Sequence, residues 1–180
     1  TGNLTIESGA SLVANSSPDC NRDGVGDGQC HPGGNISIIA NNINVTGTIL
    51  AVSDGMTGLN NNRGWIGNGG VINISSNILY AFNAIDASSD PSMPGSSSVI
   101  TGGNGGTIII NSTTVQILGI VNARGSNSRT NGCGTGTPPT SGGRGSGGFI
   151  NITSTNITIT GTLNASRSLK LLKFTELIYL

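Results

Sequence analysis

Charge is scarce in this chain. Eight acidic and eight basic side chains make up 9% of its 180 residues and cancel to a formal net charge of zero, which leaves no electrostatic footprint for nucleic acid or an anionic membrane. Aromatic residues are rarer still, at 3%, and histidine occurs once, at His31. Such a composition is far from that of an ordinary globular enzyme and equally far from the charge-rich profile of disorder. No run of eighteen apolar residues occurs, so no stretch reads as a membrane-spanning helix. Cysteine is limited to Cys20, Cys30 and Cys133. The chain opens at Thr1 without Met or a signal-like stretch and reads as a mature product or a fragment of something longer. Its length fits one domain.

Glycine, at 30 residues, and repetition are what it has in abundance. Four segments, 33–53 (GGNISIIANNINVTGTILAVS), 69–89 (GGVINISSNILYAFNAIDASS), 105–125 (GGTIIINSTTVQILGIVNARG) and 147–167 (GGFINITSTNITITGTLNASR), align without a gap. Apolar and polar residues alternate in three short runs broken by small residues, and period two means strand rather than helix. Gly47, Asn83, Gly119 and Gly161 share a column, which predicts a left-handed turn there. Ala51, Ala87, Ala123 and Ala165 share another and predict a tight inner corner. The predicted inward set is Ile36, Ile38, Ile43, Val45 and Ile49, then Ile72, Ile74, Leu79 and Ile85. It continues with Ile108, Ile110, Val115, Ile117 and Val121, then Ile150, Ile152, Ile157, Ile159 and Leu163.

A unit of about twenty residues is too short to bury its own apolar face, so neighbours must stack in parallel, roughly 4.8 Å apart. The expectation is an all-β fold, a right-handed parallel β-helix of about four to five coils over residues 1–167. Residues 1–17 form a partial first coil, with Leu4, Ile6, Leu12 and Ala14 in template positions. The inserts 18–32, 54–68, 88–104 and 126–146 all follow the Ala column, so they should emerge on one flank as long Gly/Ser/Asn-rich loops, either packed on one another or forming a recognition surface. Residues 168–180, SLKLLKFTELIYL, break the pattern and read as a C-terminal cap or tail.

The first insert carries the most specific chemical motif. In DCNRDGVGDGQC, Asp19, Asn21 and Asp23 stand at positions 1, 3 and 5, Gly24 at 6, the Val25 carbonyl at 7 and Asp27 at 9. Alternate oxygens in a tight turn converge on one centre, the spacing of a calcium loop. The motif resembles thrombospondin type 3 calcium repeats and, more loosely, EF-hand loops, although Cys30 stands where an EF-hand has its bidentate Glu. Such a resemblance implies bound calcium; the plainer alternative is a polar turn. Cys20 and Cys30 bracket the loop and can close it as a disulfide in an oxidising compartment, which leaves Cys133 over. Zinc ligation by cysteines and His31 lacks the usual ligand spacing.

Nine N-x-S/T sequons occur, at Asn3, Asn15, Asn35, Asn44, Asn73, Asn111, Asn151, Asn156 and Asn164. Several alternate with inward apolar residues and so should face solvent, where a glycan does not disturb the core; Asn and Thr also stack well as plain ladder residues. Catalysis has little to stand on. The acids outside the first insert, Glu7, Asp54, Asp86, Asp90 and Glu176, form no acid/base pair in the repeat frame. Asp86 is placed to reach Arg124 on the next coil. The Gly-rich strings precede strands, not helices, and lack a phosphate-loop Lys.

The four segments resemble the glycine-rich parallel β-helix repeats of large secreted and cell-surface proteins, which share the pectin-lyase-like fold. The resemblance covers about residues 33–167 and implies a structural or adhesive role, with no lyase or hydrolase residues to carry over. The expected function is therefore non-enzymatic. The chain would be a calcium-stabilised, N-glycosylated subunit of an extracellular fibre, stalk or cell-surface layer, partnering itself head to tail or other surface glycoproteins. The alternatives are a carbohydrate-binding or polysaccharide-active β-helix, and an ice-binding solenoid, whose Thr ladder the middle coils do not continue.

Overall fold

The structure, a computed structural model, describes residues 2–16, 28–29, 31–53, 64–89, 99–126, 129–130 and 145–165. No helix occurs among them. The strands in chain order are β1 (Leu4–Ile6), β2 (Ser11–Val13), β3 (Gly28–Gln29), β4 (Asn35–Val45), β5 (Thr48–Leu50), β6 (Gly64–Trp65), β7 (Val71–Ala81) and β8 (Ile85–Asp86). They continue with β9 (Val99–Thr101), β10 (Thr107–Ile117), β11 (Ile120–Asn122), β12 (Arg129–Thr130), β13 (Phe149–Thr153), β14 (Asn156–Ile159) and β15 (Thr162–Asn164).

Two parallel sheets hold the repeats, one ordered β1-β4-β7-β10-β13 with β14 also on β10, the other β15-β11-β8-β5-β2. Their register is that of the gapless alignment. Ile36 pairs with Ile72, Ile72 with Ile108 and Ile108 with Ile150, so each aliphatic column is a ladder through successive rungs. The predicted inward residues of the three middle rungs are buried, Ile43, Ile49, Ile72, Ile74, Leu79, Ile85, Ile108 and Ile110 completely. Burying each is worth roughly 1.5–3 kcal/mol. Ala51, Ala87 and Ala123 are likewise completely buried.

Four expectations need correction. First, the initial two strand runs of each unit fuse into one eleven-residue strand in β4, β7 and β10. That strand turns a corner without breaking. Its buried residues sit at Ile36 and Ile38 and then at Ile43 and Val45, an odd step that moves the inward face to a new direction. A column of small residues, Ala40, Ser76, Ser112 and Ser154, marks the corner; Ser76 and Ser112 share a 2.6 Å hydrogen bond there, and in the last rung the strand breaks at Ser154.

Second, Gly47, Gly119 and Gly161 have no left-handed backbone. Among the described glycines only Gly9 does, with φ of 82°, at the third position of a turn closed by the Ala10 N–H on the Glu7 carbonyl at 2.9 Å. Gly47, Gly119 and Gly161 are required for space: a Cβ at Gly119 would meet the backbone carbon and nitrogen of Asn83 on the rung below at 2.7 Å.

Third, the inserts are more than loop. β3, β6, β9 and β12 lie within them and form a third sheet, parallel except for the antiparallel β12–β9 pair. The rest of the insert expectations, and the C-terminal cap, fall outside the described residues.

Fourth, Asp86 does not reach Arg124. Its carboxylate accepts the Ser88 N–H at 2.7 Å and the Asn122 amide at 3.1 Å, which ties one turn to the next rung.

Candidate functional site

Below the Ala column lies a line of serines. Ser53, Ser89 and Ser126 are buried to 2% exposure or less. The hydroxyls of Ser53 and Ser89 lie 2.7 and 2.9 Å from the Gly67 carbonyl, Ser89 also lies 3.0 Å from Ser126 Oγ, and Ser126 Oγ accepts the Gly103 N–H at 2.8 Å. The ladder hydrogen-bonds the backbone of Gly67 and Gly103, where the chain comes back from an insert into the repeat, so these groups are not orphaned inside. Its role is structural. Ser126→Ala leaves the buried Gly103 N–H without its acceptor, and a loss of about 1–3 kcal/mol in urea-unfolding stability is expected.

The outer surface carries a second set of ladders. Asn42 donates to Asn3 at 3.0 Å, Ser11 and Thr48 share a 2.8 Å hydrogen bond, the Asn104 N–H donates to Asn68 Oδ1 at 2.8 Å and the Ser146 N–H to Asn104 Oδ1 at 2.8 Å. Each rung thus hands polar contacts to the next on its solvent side.

The nine sequon asparagines all have described surroundings. Asn3, Asn15, Asn35, Asn73, Asn111 and Asn156 are exposed, and Asn44, Asn151 and Asn164 are half-buried. Asn73 and Asn151 stand in one column of the first sheet, on either side of Ile109, and Asn111 sits in the next column, between Ser75 and Thr153. Asn44 departs from the simple outward expectation, because its Oδ1 is buried and has no hydrogen-bond partner.

The proposed calcium ligands Asp19, Asn21, Asp23, Val25 and Asp27, and the Cys20–Cys30 pair with Cys133, lie outside the described residues. His31 is described and exposed. No group of three His, Cys, Asp or Glu side chains that would hold a metal occurs among the described residues, and these residues include no helix long and apolar enough to cross a membrane.

One feature went unanticipated in the sequence. Tyr80, Phe82 and Phe149 are all on the surface, at 37%, 46% and 40% exposure, while the core is aliphatic. The Tyr80 and Phe82 rings lie side by side, with centroids 6.4 Å apart and planes 32° from parallel. Leu118 and Ile120 on the next rung are also exposed, at 40% and 51%.

What these residues define is a parallel all-β stack with sequon-bearing faces. Compared with protein-family models, with curated proteins and with solved structures, the chain gives no match.

Proposed function

We propose that the chain is a non-catalytic structural subunit of an extracellular glycosylated fibre, stalk or cell-surface layer, built as a right-handed parallel β-helix whose ends join from copy to copy. The observation that carries this is the state of the last rung. Ile157, Ile159 and Leu163 are only half-buried, whereas their partners one rung below, Val115, Ile117 and Val121, are buried to 1% exposure or less. Another rung laid on β13, β14 and β15 would bury these side chains and continue the ladder. At the other end, Leu12 and Val13 on β2 are exposed at 39% and 51%.

The glycoprotein part of the proposal draws on the six exposed sequon asparagines, which spread over the outer faces at no cost to the core. Glycans there would keep neighbouring filaments apart while leaving the rung-on-rung direction open. The ligand spacing of Asp19, Asn21, Asp23, Val25 and Asp27 supports calcium as the ion of the first insert, with Cys20 and Cys30 closing that loop.

The test is intact mass before and after enzymatic removal of N-glycans, on protein from its native source or a secretory host. A loss of several kilodaltons is expected. An unchanged mass would return the outward asparagines to a purely ladder-forming role and remove the glycan argument for placing the chain outside the cell.

A further inference from the structure

We propose that Tyr80 and Phe82 form a platform on which the chain's own N-glycan at Asn44 lies, an inference that rests on the glycosylated reading above. The register places the parts. Asn44 is the direct partner of Tyr80 across the β4–β7 pair. Beyond that pair the Phe82 N–H donates to the Val45 carbonyl at 2.9 Å, so the ladder continues and Phe82 stands beside Thr46. Both outward residues of the sequon Asn44-Val45-Thr46 therefore have an exposed ring next to them on the following rung.

The local hydrogen bonding points the same way. Thr46 turns its hydroxyl to the opposite rung, donating to the Ile6 carbonyl at 3.1 Å, which leaves the side facing β7 to the rings. At Asn44 the amide oxygen is buried and unpaired, while the residue as a whole is only half-buried. No other sequon asparagine in a paired strand has an aromatic partner. The chemistry fits: one face of a pyranose ring is a plane of C–H groups, and laying it on two adjacent rings removes apolar surface of both from water. The two exposed rings, with Leu118 and Ile120 also exposed on the next rung, otherwise form an apolar patch.

The experiment uses the full chain from a glycosylating secretory host and from bacteria. Site occupancy is mapped by peptide mass, and thermal midpoints are measured for the wild type, Asn44→Gln, the double variant Tyr80→Ser/Phe82→Ser, and all three changes together. In the glycosylated protein Asn44→Gln is expected to lower the midpoint by roughly 2–4 °C, the shift expected for a chain of this size losing one modest interaction, and to do far less once the rings are gone. In the bacterial protein the coupling should be clearly smaller, because only the direct contact between the neighbouring Asn44 and Tyr80 side chains is left to couple the two changes.

Equal coupling with and without glycan would overturn the inference. So would an unoccupied Asn44 in a protein whose other sequons are occupied, and that result leaves the glycoprotein reading standing. If no sequon is occupied, that reading falls and the platform with it. Bacterial protein that dimerises until Phe82 is replaced, or glycosylated protein that binds an added soluble polysaccharide through these rings, would give the patch to another occupant and overturn the inference.

Discussion

Alanine at Gly106 is expected to destabilise the protein by about 3 kcal/mol or more, at the upper end of what overpacking does. The reason is geometry. Gly106 crosses directly over Gly70 of the rung below, and a Cβ there would sit 2.6 Å from the Ala87 carbonyl oxygen and 2.7 Å from the Gly69 carbonyl carbon. All of these are backbone atoms, held by the ladder itself. The Gly106 N–H donates to Ala87 at 2.8 Å, and Thr107 donates to Gly70 at 2.9 Å. Relief of the clash therefore means lifting one rung off another and losing those bonds. Gly2→Ala supplies the control, since nothing lies within 4 Å of its added methyl. Urea unfolding followed by far-ultraviolet circular dichroism should show the first variant unfolding far earlier and the second unfolding with the wild type. Equal midpoints would mean that the rungs are not in contact at the glycine columns.

Ile110→Ala is the second large effect, about 2–5 kcal/mol. Ile110 is completely buried, with Ile74 as its partner on the rung below and Ile152 on the rung above. Collapse into the cavity is restricted because both neighbours are fixed in their own rungs by in-register hydrogen bonds. Ile39, by contrast, is 73% exposed on the same kind of strand, and Ile39→Ala should stay within about 0.5 kcal/mol, as for other surface changes. The two isoleucines are chemically alike and differ only in which side of the pleat they occupy, so the comparison tests the inward and outward assignment of the whole repeat.

The sheet ladders were legible because their signal is local and repeated. In a strand, each residue's parity decides its face, and four aligned copies of one parity pattern leave little choice of register. Ile72 over Ile36 is readable from the alignment alone. The corner within β4, β7 and β10 was harder, since its mark is a weak Ala/Ser column at Ala40, Ser76, Ser112 and Ser154, in a template whose small residues elsewhere mark turns. The third sheet had no sequence signal, because two-residue strands such as Gly28–Gln29 and Arg129–Thr130 carry no period. Their pairing follows from the neighbouring rungs holding them at strand spacing.

Glycine was misread in an instructive way. Left-handed geometry is the usual reason for a glycine at a turn, and at Gly9 it applies. At Gly47, Gly119 and Gly161 the cause is the backbone of the adjacent rung, a contact between residues some forty positions apart that no turn rule contains. The serine column shows the same limit. Ser53 and Ser89 keep the repeat spacing, but Ser126 is shifted one place along the template, so the alignment does not put it opposite Ser89, to which it is hydrogen-bonded at 3.0 Å. The sequon and ring pairing, on the other hand, was already present in the sequence: Asn44 and Tyr80 occupy one alignment column. Its meaning became visible only with the exposure of the rings and the burial of the Asn44 oxygen.

End-to-end continuation of the stack is the central claim, and electron microscopy of the purified, glycosylated protein across a range of concentrations tests it most directly. Filaments one repeat stack wide, with strands running across the filament and a ladder spacing of roughly 4.8 Å along its axis, are the expected result. Single short particles at every concentration, or filaments joined side to side through the sheet faces, would contradict it.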